Sequence, residues 1–255
     1  MNRVRQCLIL AAGNGTRLRP ISSGLPKPLV KILGKPILEH VILRACEAGI
    51  DNFVIVVGYR SELVRQRIES RLRGKASITW IENPEYHKAN GISALKAKVS
   101  IQGNFVLLMA DHLFESSTLR MLAQQRLLQG EVILAVDPNV DRIFDIDDAT
   151  KVRREGNCIV EIGKELSSYD ALDTGMFLCS PALFHHLESV MTDGNCSLTD
   201  GMRQFAHERR LRAVEIGEAQ WQDLDTPEAL LYAEGIFGGP TYHPAPLVES
   251  LVGSV

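Results

Sequence analysis

At 255 residues, 45% of them hydrophobic and 23% charged, the chain has the composition of a globular protein, long enough for one large α/β core with or without a small appendage. A formal net charge of −3 excludes the basic footprint of a sequence-independent nucleic-acid binder. No stretch approaches the roughly 20 apolar residues that span a bilayer, and the apolar run 7–12 is too short for the core of a secretion signal. The five cysteines (Cys7, Cys46, Cys158, Cys179, Cys196) are odd in number and scattered, with no Cys-x-x-Cys pair. Neither a zinc site nor a disulfide framework is indicated, and a cytoplasmic location fits best.

Residues 6–12 read as a first apolar strand that empties into Gly13-Asn14-Gly15. A helix is predicted over 36–48, with Ile37, Val41, Ala45 and Ala48 on one face and Gly49 as its stop. The unbroken β-rich run 53–58 predicts a strand covered on both faces. Helix 62–72, strand 77–81, a helix near 92–100, strand 105–110 ending at Asp111, helix 116–128 and strand 132–136 follow. This alternation predicts a Rossmann-like, doubly wound, mostly parallel sheet with helices on both faces. After Asp137 the texture changes. Short β-rich pieces within 149–179 predict a smaller, additional mixed β-sheet laid over one edge of the first, before helices 181–191 and 198–208, strand 211–216 and helix 226–235. The segment 238–255, with prolines at 240, 244 and 246 and no periodicity, has linker composition. The expected organisation is a single α/β domain over 1–237 and a linker-like tail over 238–255.

The loop after the first strand carries the chemistry. Gly13 and Gly15 let backbone N–H groups approach phosphate oxygens, and Arg17 and Lys27 add charge where phosphoryl transfer builds negative charge. The dinucleotide fingerprint needs a third glycine where Leu18 stands, and the Walker Gly-Lys-Ser/Thr is missing, so the loop belongs to neither motif. Asp111, at the carboxyl end of a buried strand, lies where open α/β sheets bind ligands, although an Asp there also suits a helix cap.

Leu10-Ala11-Ala12-Gly13-Asn14-Gly15-Thr16-Arg17-Leu18, followed by Pro26-Lys27-Pro28-Leu29-Val30-Lys31-Ile32-Leu33-Gly34-Lys35-Pro36-Ile37-Leu38, resembles the signature of the nucleotidyltransferases that make nucleoside-diphosphate sugars and CDP-alcohols. The resemblance covers roughly 5–235. Within that family, segments 83–95, 145–153, 162–166 and 172–177 look like the CTP:inositol-1-phosphate cytidylyltransferase branch.

That resemblance implies magnesium-dependent transfer of CMP from CTP to a phosphorylated small alcohol such as inositol 1-phosphate, with release of pyrophosphate. Lys27 would serve the α-phosphoryl group and the incoming phosphate, and Arg17 the departing pyrophosphate. Leu10, Ala11, Ala12, Gly13, Asn14, Gly15 and Thr16, with Lys88, Asn90, Gly91 and Ser93, would hold the nucleotide. Mg²⁺ would sit on Asp111 and on the Asp two residues after Trp221, which is Asp223, with Asp225 left open as ligand or as part of a helix cap ahead of Pro227. The acceptor would meet His112, Lys151, Lys164, Asp173 and Thr174 in a sub-region at about 138–180. Lys151 can also be a solvated charge, and His185-His186 read as residues that face solvent or pack locally. A hydroxyalkyl- or aminoalkylphosphonate acceptor, a sugar 1-phosphate acceptor and a silent nucleotide-binding regulatory subunit are the competing readings. The last normally lacks the loop Arg and Lys or the metal Asp, all of which are present. The tail raises the expectation of a fused downstream domain that consumes the activated product.

Overall fold

In the computed structural model, which describes residues 4–239, helices cover both faces of one nine-stranded sheet. Strand β1 (Gln6–Ala11) leads through a glycine loop and the short helix α1 (Arg19–Ser22) to a hairpin of β2 (Lys31–Ile32) and β3 (Lys35–Pro36). Then come α2 (Ile37–Glu47), β4 (Asn52–Val57), α3 (Ser61–Leu72), β5 (Ser77–Glu82) and α4 (Asn90–Lys96). They are followed by β6 (Phe105–Met109), β7 (His112–Phe114), α5 (Ser116–Ala123) and β8 (Val132–Asp137). The predicted helices near 92–100 and over 116–128 are both shorter: the first breaks into α4 and a 3₁₀ turn at Lys98–Ser100, and the second stops at Ala123.

The second half supplies β9 (Lys151–Glu155), β10 (Cys158–Gly163), β11 (Ala171–Cys179), α6 (Ala182–Ser189), α7 (Leu198–His207), β12 (Leu211–Glu215), β13 (Trp221–Asp223) and α8 (Pro227–Phe237). The sheet order is β5-β4-β1-β6-β11-β8-β12-β10-β9. β5, β4, β1 and β6 run parallel, as do β8 and β12, while β11 lies antiparallel between β6 and β8. The strands within 149–179 therefore join the large sheet and make it mixed; the small additional sheets are the antiparallel pairs β2/β3 and β7/β13. β11 is buried at eight of its nine positions, which makes it a strand for the middle of a sheet and not for an edge. No helix among the described residues is long and apolar enough to cross a membrane.

Strand alternation divides the core. Cys7, Ile9 and Ala11 face α2, α3 and α5 on one side, while Leu8 and Leu10 belong to the cluster with α4, α6 and α7. A third, smaller cluster lies at the carboxyl edge of the sheet. Leu18, Val30, Ile32, Ile37, Leu113 and Leu224 meet Leu230 and Ala233 of α8 there. Leu18, Leu113 and Leu224 are fully buried, and each neighbours a charged residue of the site within two positions. Truncating Leu224 to Ala should cost about 2–5 kcal/mol of unfolding free energy, read by denaturant titration. A loss below about 1 kcal/mol would mean that this cluster does not carry the edge of the domain.

Candidate active site

Pairing of β7 with β13 sets the central geometry. Asp223 lies opposite His112 in register, and Leu224 N–H donates to the Asp111 carbonyl at 2.9 Å. Two aspartates far apart in sequence are thereby fixed beside one another. Thr226, not Asp225, caps α8, its hydroxyl accepting from Ala229 N–H at 3.1 Å with Pro227 in the first turn. Asp225 is left to bind both Lys27 and Arg17. Asp111 caps no helix either, because Glu115 occupies the position before α5.

Lys27 is buried at 8% exposure, and its ammonium donates to Asp111 Oδ2 at 2.6 Å and to Asp225. Arg17 bonds Asp225 and Asp148, and Asp148 in turn accepts from Lys164. Lys164, Asp148, Arg17, Asp225, Lys27 and Asp111 thus form one chain of alternating sign, closed by His112, whose Nδ1–H donates to Asp111 Oδ1 at 3.0 Å. Gly15 has a φ of +59°, and a Cβ there would lie 2.5 Å from Lys27 Cβ, so only glycine lets the loop rest on the lysine stem. Nothing lies within 4 Å of a Cβ built on Gly13, which leaves that backbone open to a ligand.

Burial and charge act against each other throughout. Burial disfavours the Lys27 ammonium, but Asp111, Asp225 and Asp223 outweigh it and raise the pKa above the usual lysine range. Burial likewise opposes the Asp111 carboxylate, and Lys27 and His112 hold it well below the usual carboxylate range. Asp223 has no ammonium of its own: burial, with Asp111 and Asp225, pushes its carboxyl up to about 7 against the pull of His112 and Lys27. His112 is disfavoured as a cation by burial, yet Asp223, Asp111 and Asp173 raise it to about 9. Burial lifts Asp173 to about 6, although Gly175 N–H donates to it at 2.7 Å.

The donor set fits a hard divalent cation. Asp111, His112 and Asp223 present ligand atoms within 4.8 Å of one another, and so do Asp148, Asp223 and Asp225. Asp223 belongs to both groups, and its Oδ1 is buried without a hydrogen-bond partner. An orphaned carboxylate oxygen among acids is what an oxygen-seeking ion would satisfy.

The structure brings Arg17, Lys27, Asp111, His112, Asp223, Asp225, Lys164 and Asp173 to one place, and the last two line the same cavity as the aspartates. It does not bring Lys151 and Thr174 there. Lys151 is buried, with its ammonium on the carbonyl of Lys164 at 2.8 Å, so it props the segment that carries Lys164. Thr174 is wholly buried and donates to the Ala135 carbonyl at 2.8 Å, because alternation along β11 turns it away from Asp173.

Around the nucleotide loop, Leu10, Ala11 and Ala12 are buried and Gly13, Asn14, Gly15 and Thr16 form the turn above them. Lys88 is tied to Glu85 and to the Gly194 carbonyl, and Ser93 is buried against Asn83 at 3.0 Å. Gly91 is needed for packing, since a Cβ would lie 2.6 Å from the Cys196 carbonyl. Asn90 lines the cavity while its Oδ1 accepts from Leu198 N–H at 2.7 Å. Asp148 is the main residue the sequence reading missed; its only signal is the acidic run Asp145-Ile146-Asp147-Asp148 within a loop. Thr199 and Met202 of α7 also line the cavity, with no signal in sequence. His186 packs locally, as expected, stacked on Phe205 with ring centroids 3.9 Å apart.

A glycine loop, a buried lysine and converging aspartates thus meet at the carboxyl edge of a doubly wound sheet. Residues 6–235 match the nucleotidyl transferase family, and the chain belongs to it. It is 35% identical to the bifunctional IPC transferase and DIPP synthase of Rubrobacter xylanophilus, over 89% of this chain and 50% of that protein. It is 33% identical to the protein of the same name from Aquifex aeolicus, over 88% of this chain and 50% of that one. The chain spans about half the length of these relatives. The inositol-1-phosphate CTP transferase of T. maritima has the same fold, with a TM-score of 0.81 at 24% identity, covering 89% of this chain and 92% of that one.

These protonation states have a sign that can be read in solution. A group whose pKa is raised by folding contributes stability below its ordinary value and loses it as pH rises through the folded value. Asp173 and Asp223 lose theirs through about 6 and 7, and His112 through about 9. The melting temperature of the ion-free protein should fall from pH 6 to pH 9, and His112→Gln should flatten the upper part of that fall. A melting temperature that rises across this window would contradict the packing of Asp223 and His112.

Proposed function

We propose that the chain is a Mg²⁺-dependent cytidylyltransferase that joins CMP from CTP to the phosphate of a small alcohol, with inositol 1-phosphate the leading acceptor, and releases pyrophosphate. The observation that carries this reading is the convergence of Asp111, Asp223, Lys27 and Arg17 next to a cavity that also holds Lys164 and Asp173. The name of the structural neighbour, an inositol-1-phosphate CTP transferase, supports the choice of CTP and of inositol 1-phosphate, and the names of the two relatives support a transferase.

Backbone N–H groups of the loop 10–16 would cradle the triphosphate, and the bound magnesium would neutralise its charge and orient it. Lys27, already at the carboxylates, meets the α-phosphoryl group, and Arg17 holds the β- and γ-phosphates that leave. Lys164 exchanges Asp148 for the acceptor phosphate, whose oxygen attacks the α-phosphorus in line with the departing pyrophosphate. No side chain need remove a proton, since the acceptor phosphate is already an anion at neutral pH. Positioning and charge stabilisation carry the rate. Asp173 receives hydroxyl hydrogens of the acceptor.

A second acceptor class has one observation in its favour. Met109, Phe177, Leu198 and Met202 line the same cavity, apolar surface that a polyol leaves unused but the carbon chain of a hydroxyalkyl- or aminoalkylphosphonate covers. Residues 1–237 would act as the transfer unit, with 138–180 as its acceptor side, and a fused downstream unit that consumes the product is supported by the double length of the relatives. The tail itself lies outside the described residues from 240 onward.

Pyrophosphate release with CTP, UTP, ATP and dTTP against inositol 1-phosphate, 2-aminoethylphosphonate and glucose 1-phosphate tests the reading. CTP with inositol 1-phosphate should lead, in the full chain and in residues 1–237 alike. A lead for glucose 1-phosphate, or no pyrophosphate with any pair, would overturn it. Lys27→Ala should cut turnover by about 10²–10³ while changing CTP binding much less. Turnover within about threefold of the parent protein would remove Lys27 from the chemistry.

A further inference from the structure

Asp137, the last residue of β8, is buried at 5% exposure and stands outside every contact so far assigned to the reaction. Its two carboxylate oxygens serve different parts of the site. Oδ2 accepts from the indole Nε1–H of Trp221 at 2.9 Å. Oδ1 accepts from the backbone N–H of Asn139 at 2.9 Å and from its Nδ2 at 3.1 Å.

The first arm continues to the metal acids. Trp221 stacks on the His112 imidazole, with ring centroids 5.9 Å apart and planes 5° from parallel. The backbone of Gly175 also closes on that imidazole: a Cβ there would come within 2.7 Å of Cδ2. Wedged in this way, His112 directs Nδ1–H onto Asp111. The second arm continues to the acceptor. Asn139 opens the segment 139–149, from which Ile143, Asp145 and Asp148 line the cavity, and Asn139 Nδ2 also reaches the Gly217 carbonyl at 3.3 Å.

We propose that Asp137 is a positioning residue that couples the two halves of the site, orienting Asp111 through Trp221 and His112 and seating the acceptor segment through Asn139. The inference rests on the reading of the cavity as metal and acceptor site. A buried carboxylate is expensive to desolvate, and three directed N–H donors offset that cost. An apolar residue would cover Trp221 equally well but would fix neither the indole nor Asn139 in direction. Groups that orient the residues around a metal through such contacts typically change affinity or activity when lost.

Three substitutions separate the arms. Asp137→Asn keeps one acceptor oxygen and turns an amide N–H₂ toward the other donors. Trp221→Phe keeps an aromatic face on His112 and loses the N–H together with the five-membered ring. Asn139→Ala loses only the side-chain arm. Two readouts are used: the Mg²⁺ concentration for half-maximal pyrophosphate release, and the acceptor KM with inositol 1-phosphate. A Mg²⁺ titration of Trp221 fluorescence gives a third that needs no turnover, in a Trp80→Phe background because Trp80 is the chain's other tryptophan.

Asp137→Asn should weaken Mg²⁺ about 10- to 100-fold by both measures and raise the acceptor KM. Trp221→Phe should raise the Mg²⁺ requirement and leave the acceptor KM unchanged, and Asn139→Ala should do the reverse. Asp137→Asn combined with Trp221→Phe should need no more Mg²⁺ than Asp137→Asn does, since both cut one connection. Parental Mg²⁺ requirement and acceptor KM in Asp137→Asn would overturn the proposal, as would additive effects in the double variant. If Asp137→Asn does not fold, an unchanged Mg²⁺ requirement in Trp221→Phe overturns it by itself. Loss of the Mg²⁺ fluorescence response in Asp137→Asn, with no pyrophosphate from the parent protein and any acceptor, would keep the coupling and sink the functional reading instead.

Discussion

The apolar cluster of Leu18, Val30, Leu113 and Leu224 does what the charged residues of the site cannot do for themselves. Asp111, Asp148, Asp223 and Asp225 repel one another, and a chain gains nothing from gathering four carboxylates. Each is held, or faced, by a segment whose neighbouring side chain is driven out of water. Leu18 follows Arg17, Val30 lies three residues after Lys27, Leu113 two after Asp111, and Leu224 separates Asp223 from Asp225. Burying a side chain of this size is worth about 1.5–3 kcal/mol. The fold supplies the gathering force through carbon and hydrogen, and α8 closes the cluster through Leu230 and Ala233.

On that base the electrostatics are arranged in alternation. Of these four carboxylates, three have a cation within hydrogen-bond reach: Asp148 has Arg17 and Lys164, Asp225 has Arg17 and Lys27, and Asp111 has Lys27 and His112. Asp223 is the exception, with a buried oxygen that nothing satisfies. Cations already fixed beside acids suit a reaction whose difficulty is negative charge at phosphorus, because such groups need little rearrangement as that charge grows. The cations are equally mobile in role, since Lys164 and Arg17 sit on carboxylates at half-exposed positions from which phosphates can draw them.

Much of this was legible in the sequence, for identifiable reasons. The parallel strands announced themselves as short apolar runs separated by amphipathic helices, and the glycine loop stated its chemistry through Gly13, Gly15, Arg17 and Lys27. β11 was harder, because its placement between β6 and β8 depends on pairing with strands distant in sequence, which local pattern does not encode. Lys151 and Thr174 show the other limit. Residue type and proximity to a site residue suggest a role, yet one-residue alternation or a nearby carbonyl redirects the side chain. Asp148 fell on the opposite side of that limit, its meaning fixed only by Arg17 and Lys164 arriving from other segments.

In the proposed reaction, β7 and β13 bring Asp111 and Asp223 to one shared ion. Mn²⁺ binding followed by electron paramagnetic resonance, in the parent chain and in Asp111→Asn, Asp223→Asn and the double variant, addresses it most directly. One tight site is expected, which either substitution weakens strongly, with little further loss when both are made. Parental Mn²⁺ affinity in Asp223→Asn, or losses that simply add, would mean that the two aspartates do not hold the same ion.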